Sequence, residues 1–131
     1  MAVFESTEKM YEVLGALFKK LMADPEMGVK YKESKIIICF NITEPSGQIW
    51  LSDEGEVVCG KADFKPTIEM DLSGDSCHLF WLKELSLPIA LAKGKIKARG
   101  PMPKVLKLLP MLKPAYAAYP EIAKAHGILI S

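Results

Sequence analysis

Hydrophobic positions recur along this chain with two distinct periods. Met10, Leu14, Leu17, Phe18 and Leu21 fall at helical spacing, while Glu8, Glu12, Lys19 and Lys20 lie mostly elsewhere. Ser6 or Thr7 supplies an N-cap, and Pro25 predicts an end shortly after Asp24. From Lys35 the period drops to two. Ile36, Ile38, Phe40 and Ile42 share one face of a strand, and Ile37, Cys39, Asn41 and Thr43 share the other. Glu44, Pro45, Ser46 and Gly47 mark a turn. A second strand is predicted over 48–52, a tight turn at Asp53, Glu54 and Gly55, and a third strand over 56–60. A fourth covers 67–72, with Ile68, Met70 and Leu72 on one face.

Ser73 or Asp75 can cap a helix running through Cys77, Leu79, Phe80, Trp81, Leu82 and Leu85. Pro88 opens a short helical turn that ends near Gly94. Lys95, Lys97 and Arg99 then alternate with Ile96 and Ala98, the pattern of a half-exposed strand with its charges outward. Gly100 and Pro101 end it. Pro103 suits the first turn of a helix carrying Val105, Leu106, Leu108 and Leu109. Pro110 and Pro114 interrupt that pattern, and a last helix is expected over about 115–126, capped by Gly127. Together with Pro120, these prolines predict short C-terminal helices, a movable cover more than a rigid pillar. The order is helix, four strands, helix, strand, C-terminal helices. It predicts an α+β fold with an antiparallel-rich sheet covered by helices on one side.

With 131 residues the chain is expected to form one domain, 1–131, large enough for a real core. Half of its residues are hydrophobic and a quarter charged, which argues against disorder. The formal net charge of +1 gives no global case for nucleic acid. No apolar run approaches the ~20 residues of a bilayer helix. The acidic start (Glu5, Glu8) is unlike a secretory leader, and Ile128, Leu129, Ile130 and Ser131 do not form a peroxisomal Ser-Lys-Leu ending. A cytoplasmic protein is expected. Cys39, Cys59 and Cys77 are widely spaced and odd in number, so they are read as reduced thiols acting as small hydrophobes.

Catalytic signals are weak. The chain holds no Gly-x-Ser-x-Gly, Cys-x-x-Cys or His-Glu-x-x-His, and its histidines are His78 and His126. Side chains at adjacent helical positions diverge by ~100°, so Cys77 and His78 make a poor joint site. A surface histidine beside a buried cysteine is the expectation. Gly94, Lys95 and Gly100 lack phosphate-loop spacing. No catalytic residue, metal or cofactor is assigned.

Charge and hydropathy are more telling. Residues 85–120 contain no acid, yet carry Lys93, Lys95, Lys97, Arg99, Lys104, Lys107 and Lys113. These could be a solvated face balanced by distant acids. Alternatively, Lys95, Lys97, Arg99, Lys104 and Lys107 could meet anionic lipid headgroups, at about 1 kcal/mol per basic residue. Aromatic residues are not interleaved with them, which disfavours nucleic acid. The same segment and its neighbours are unusually apolar. Met70, Leu72, Phe80, Trp81, Leu85, Ile89, Leu91, Met102, Leu106, Leu109, Met111, Leu112, Tyr116 and Tyr119 could form a dense core or the wall of a cavity. Methionine suits the second use because it adapts to varied shapes.

The segment from Thr67 to Ser73, the helix after it, and Ala92-Lys-Gly-Lys-Ile-Lys-Ala-Arg-Gly100 with its Leu-rich successor resemble the sterol carrier protein type 2 lipid-transfer family. The leading helix, the strand from Ile36 to Ile42 and the turn at Asp53–Gly55 are similar in order, so the resemblance spans most of the chain. The Gly-Lys-Ile-Lys-x-x-Gly signature is its sharpest part. The resemblance implies a five-stranded, mostly antiparallel sheet layered with helices around an apolar tunnel. It implies a non-catalytic carrier of a fatty acid, acyl-CoA, sterol or phospholipid. It places Phe80, Trp81 and Leu85 on the helix beside the cavity, and Met102, Leu106 and Leu109 on the helix after it. Phe40, Met70, Leu72, Met111, Leu112 and Tyr116 complete the candidate wall. A cavity of roughly 300–1,000 Å³ would suit such a ligand. The competing expectations are a dimerisation module using the apolar C-terminal face, and a thiol enzyme using Cys77. Monomer and homodimer both stay open.

Overall fold

The first helix is fixed by its ends as much as by its stripe. In a computed structural model, which describes residues 3–107 and 109–128 and leaves out the side chains of Val105 and Met111, helix α1 spans Thr7–Ala23. The Ser6 hydroxyl accepts the Lys9 amide at 3.1 Å, satisfying one of the free donors of the first turn. Met10, Val13, Leu14, Leu17, Phe18 and Leu21 are all buried, so the predicted stripe is the core-facing side. The chain leaves the helix at Asp24, just before Pro25.

Helix α2 (Met27–Ser34) was not legible in the sequence. Only Met27, Gly28 and Tyr31 of its eight residues are buried, too few to mark a period. Its start is held by Asp24, whose carboxylate accepts the amides of Glu26 and Met27 at 3.0 and 2.8 Å.

Five strands follow the predicted alternation: β1 (Ile38–Thr43), β2 (Gly47–Leu51), β3 (Val57–Cys59), β4 (Ile68–Ser73) and β5 (Ile96–Arg99). They form one sheet in the order β3-β2-β1-β4-β5. Three of its four junctions are antiparallel, and β1 with β4 is the parallel one. The register places Phe40 opposite both Ile49 and Met70, and Leu72 opposite both Ile42 and Ile96. One face is therefore a continuous apolar floor. The other face is polar through its middle: Asn41 donates to Glu69 and Asp71, and Gln48 donates to Asn41.

Between β4 and β5 lie α3 (Gly74–Trp81), capped by Ser73, and α4 (Leu87–Ala92), opened by Pro88 and capped by Ser86. Helix α3 ends at Trp81, four residues earlier than the sequence pattern implies, because the chain turns through Lys83 at φ 67°. The two signature glycines bracket β5. Gly94 has φ +72° and Gly100 φ +126°, and a Cβ on Gly100 would stand 2.6 Å from the Thr67 carbonyl oxygen.

After β5 come the short helix α5 (Met102–Lys107), a 3-10 turn (Leu109–Leu112) and helix α6 (Lys113–Ala125). Here the proline reading needs correction. Pro114 lies in the first turn of α6, where no amide hydrogen is needed, and α6 continues through Pro120 for 13 residues. Ala115, Ala118, Tyr119 and Ala123 are buried, and α6 packs on α1. That packing of small residues outweighs the local cost of the proline. The C-terminal helix is thus a pillar. The movable-cover expectation can apply only to α5 and the 3-10 turn. The expected placement of Leu108 and the reading of the ending at Leu129–Ser131 lie outside the described residues.

Candidate functional site

The apolar sheet floor faces a cavity closed by helices. From the floor, Ile38, Phe40, Met70, Leu72 and Ile96 enter its lining, with Leu51 from β2. Helix α1 supplies Phe18 and Leu21, and α2 supplies Met27 and Tyr31. Cys77, Phe80 and Trp81 come from α3, and Leu87 from α4. Leu109 and Leu112, on the 3-10 turn, are the half-buried members. None of these sixteen side chains is charged.

Aromatic rings fix one end of this wall. Phe18 stacks on Phe40 with centroids 5.1 Å apart, and meets Trp81 edge-on at 5.6 Å. Phe80 packs edge-on to Trp81 at 4.9 Å, and Tyr116 leans on both at 5.8 Å. Offset and edge-on contacts of this kind hold ring orientations firmly. Among the described residues the buried Trp81 indole Nε1 has no hydrogen-bond partner, whereas the Tyr31 hydroxyl is tied. Tyr31 Oη donates to the Leu51 carbonyl at 2.8 Å, so it presents its ring to the space and keeps its hydroxyl occupied. Burial raises the Tyr31 phenol well above its ordinary range.

The free volume is small. Counted as room for water-sized occupants it is ≈ 40 Å³, far below the expected hundreds. The side chains of the wall have largely closed on one another, and a long tail enters only if part of the wall moves. Leu109 and Leu112 belong to the least buried part of the lining, which locates the soft side.

Of the residues singled out from sequence, Phe40, Met70, Leu72, Phe80, Trp81, Leu109 and Leu112 come together on this cavity. Leu85 is half-buried against the core, and Tyr116 backs the aromatic cluster from behind. Met102 and Leu106 depart from the expected wall. They are 39% and 48% exposed, because α5 stands outside the core instead of lining it. The Met111 side chain lies outside the described residues. Sequence reasoning put Phe18 and Leu21 on the apolar face of a helix and Ile38 on one face of a strand without naming them as wall, since nothing local separates a residue that packs from one that borders a void. Met27 and Tyr31 were missed with α2, although Asp24 as a cap and their i, i+4 spacing carried a faint signal.

The thiol chemistry has no support here. Cys77 is buried, and burial pushes its thiol up to about 12 despite the nearby Trp81 indole N–H. A nucleophilic cysteine needs the opposite shift. His78 is also buried, 4% exposed, which corrects the surface reading. Its Nδ1 shares a 2.6 Å hydrogen bond with Tyr119 Oη, tying α3 to α6. Among the described residues no group of three or more His, Cys, Asp or Glu is placed to hold a metal ion, and no helix is long and apolar enough to cross a membrane.

The basic segment divides in two. Lys97 and Arg99 lie opposite Asp71 and Glu69 across the β4–β5 pair. Arg99 bridges both acids, at 2.8 Å to Glu69, and its hydrogen bond is the main reason the Asp71 carboxyl titrates below its ordinary range. Lys95, Lys104 and Lys107 are exposed, with no salt bridge among the described residues.

No protein-family model and no curated protein matches the chain. Solved structures do. The solution structure of sterol carrier protein domain 2 from Helicoverpa armigera aligns with a TM-score of 0.68 at 20% identity, covering 83% of this chain and 89% of that one. The chain has the sterol carrier protein 2 fold. Sterol carrier protein 2 from Aedes aegypti, solved in complex with palmitate, aligns with a TM-score of 0.61 at 18% identity over 81% of this chain and 96% of that one. The same fold also matches a piece of a larger enzyme. The sec-alkylsulfatase Pisa1 from Pseudomonas sp. aligns with a TM-score of 0.51 at 16% identity, over 58% of this chain but 12% of that one. The likeness thus extends to chains of similar length and to part of a longer enzyme chain.

Proposed function

We propose that this chain is a non-catalytic carrier that encloses the apolar tail of one lipid-like molecule. The observation that carries the reading is the cavity wall. Its sixteen side chains are uncharged and come from nine separate elements of a sterol carrier protein 2 fold. The palmitate complex of the Aedes aegypti protein supports an acyl tail as one suitable guest.

Each methylene removed from water yields about 0.8 kcal/mol, so a tail of ~16 carbons offers on the order of 12 kcal/mol gross. Association and ordering remove several kcal/mol of that. Parting the closed wall removes more. With no charged group in the lining, tail length governs affinity and headgroup chemistry matters little. The protein therefore discriminates poorly among single-tailed lipids of equal length.

The test is a titration with straight-chain fatty acids of rising length, read by Trp81 fluorescence in a Trp50→Phe background. Trp50 lies on the opposite sheet face, against Phe64, so its removal isolates the cavity signal. Affinity should climb with each added pair of carbons until the cavity is full. A flat response, or none, overturns the carrier reading.

A further inference from the structure

Helix α5 is unlike every other helix of this chain. All of its described side chains are exposed: Met102, Pro103, Lys104, Leu106 and Lys107. Met102 and Leu106 are four residues apart and so share one side of the helix. Six residues are too few for a helix to persist by propensity alone. Its main neighbour is the 3-10 turn, which places Leu109 and Leu112 on the cavity. A single stretch of chain is therefore apolar on its inner side, toward the cavity, and apolar again on its outer side, toward solvent.

Charge distinguishes what could cover that outer side. No acid occurs between Leu85 and Pro120. Arg99 is paired with Asp71 and Glu69, Lys97 lies across the strand pair from Asp71, and Lys113 borders an open cleft with Asp24 and Glu26. Among the described residues Lys104 and Lys107 make no salt bridge, and at ~100° per residue they lie on the sides of α5 turned away from Met102 and Leu106. A helix with an exposed apolar side and uncompensated lysines on its other side suits an interface of anionic headgroups over acyl chains.

We propose that α5 docks on an anionic membrane surface, and that docking draws the 3-10 turn away from the cavity so that a tail can pass. This rests on the carrier reading for the passage of lipid, but the docking itself does not. Met102 and Leu106 enter the headgroup boundary, and Lys104 and Lys107 meet lipid phosphates. Among the described residues α5 packs mainly on the 3-10 turn, and the turn also packs on α2 and α6, so docking must loosen those two contacts to open the cavity. The closed ≈ 40 Å³ cavity is then the state of the carrier away from membrane.

The experiment uses the full chain and two vesicle types, phosphatidylcholine alone and phosphatidylcholine with phosphatidylglycerol. Flotation should show binding to the second type that weakens as salt rises. Lys104→Glu with Lys107→Glu should abolish it, since each lysine near such a surface accounts for about a fivefold change in affinity. Met102→Ser with Leu106→Ser should also abolish flotation and slow delivery of a pyrene-labelled fatty acid to vesicles. That pair should leave vesicle-free affinity for the labelled acid unchanged, because neither side chain lines the cavity. Flotation indifferent to phosphatidylglycerol and to both pairs overturns the docking proposal. A dimer in light scattering that Met102→Ser with Leu106→Ser dissolves, without change in flotation, also overturns it in favour of a second copy of the chain. Flotation needs no bound guest, so absence of fatty-acid binding in solution would reject the carrier reading alone.

Discussion

Helices α1 and α5 are both rich in apolar residues, yet they lie at opposite extremes of burial. Leu17 of α1 is 0% exposed and Leu106 of α5 is 48% exposed. Helix α1 is long enough to hold itself, is capped by Ser6, and lies between α6 and the sheet. Helix α5 is short and rests mainly on the turn beside it. The cavity is thus bordered on one side by the buried face of α1, and on another by the 3-10 turn, whose Leu109 and Leu112 are only half-buried and whose outer neighbour α5 is exposed. Under the carrier proposal, the chain keeps its shape at one side and exchanges its guest at the other.

The largest test of that contrast is paired truncation. Leu17→Ala should cost about 2–5 kcal/mol of unfolding free energy, the range for a fully buried leucine. Leu106→Ala should change it by no more than about 0.5 kcal/mol, as for an exposed position. Urea midpoints measure both. Equal losses would mean that α5 is held as firmly as α1, and the two-wall picture would be wrong.

Hydrogen exchange sharpens the same comparison without mutation. Amides of α5 and the 3-10 turn should exchange through local opening, well before those of α1 and β1, which open only with the whole fold. Saturation with a fatty acid should slow the 3-10 turn most, because Leu109 and Leu112 would then pack against the guest. Uniform protection across the chain would leave no soft wall to move.

The two walls were not equally legible. Helix α1 and strands β1 and β4 could be read because each buries one face, and burial of one face imposes a period on the sequence. Ser73 and the glycines around β5 marked boundaries through local backbone chemistry. Helix α2 escaped because three buried residues in eight make no period. Pro120 misled because a proline's local cost is visible in sequence, whereas the close packing of α6 on α1 is a tertiary fact. Met102 and Leu106 misled for the converse reason: hydrophobicity says that a side chain prefers burial, not that this fold supplies a place for it. The cavity itself is a difference between nearly filled and filled space, which no single residue records. Resemblance to a family, more than periodicity, pointed to it.

The smallest expected effect concerns the root of the soft wall. Strand β5 leads directly into α5, and Arg99 at its end holds Glu69 and Asp71 on the polar sheet face. The Arg99 hydrogen bond depresses the Asp71 carboxyl in the folded chain, with Asn41 adding to the shift. A depressed carboxyl contributes stability above its unfolded value of about 3.9, and that contribution is lost as pH falls through the lower folded value. Both partners are substantially exposed, so solvent screens the pair and the effect is slight. Asp71→Asn should accordingly be a little less stable than the parent chain at neutral pH, with the gap closing as the medium becomes acidic. Urea midpoints across that acid range measure it, and added salt should shrink the neutral-pH gap. A gap that stays constant with pH would mean that the substitution acts through packing, and that the charge on Asp71 does nothing to fasten the strand from which the cover swings.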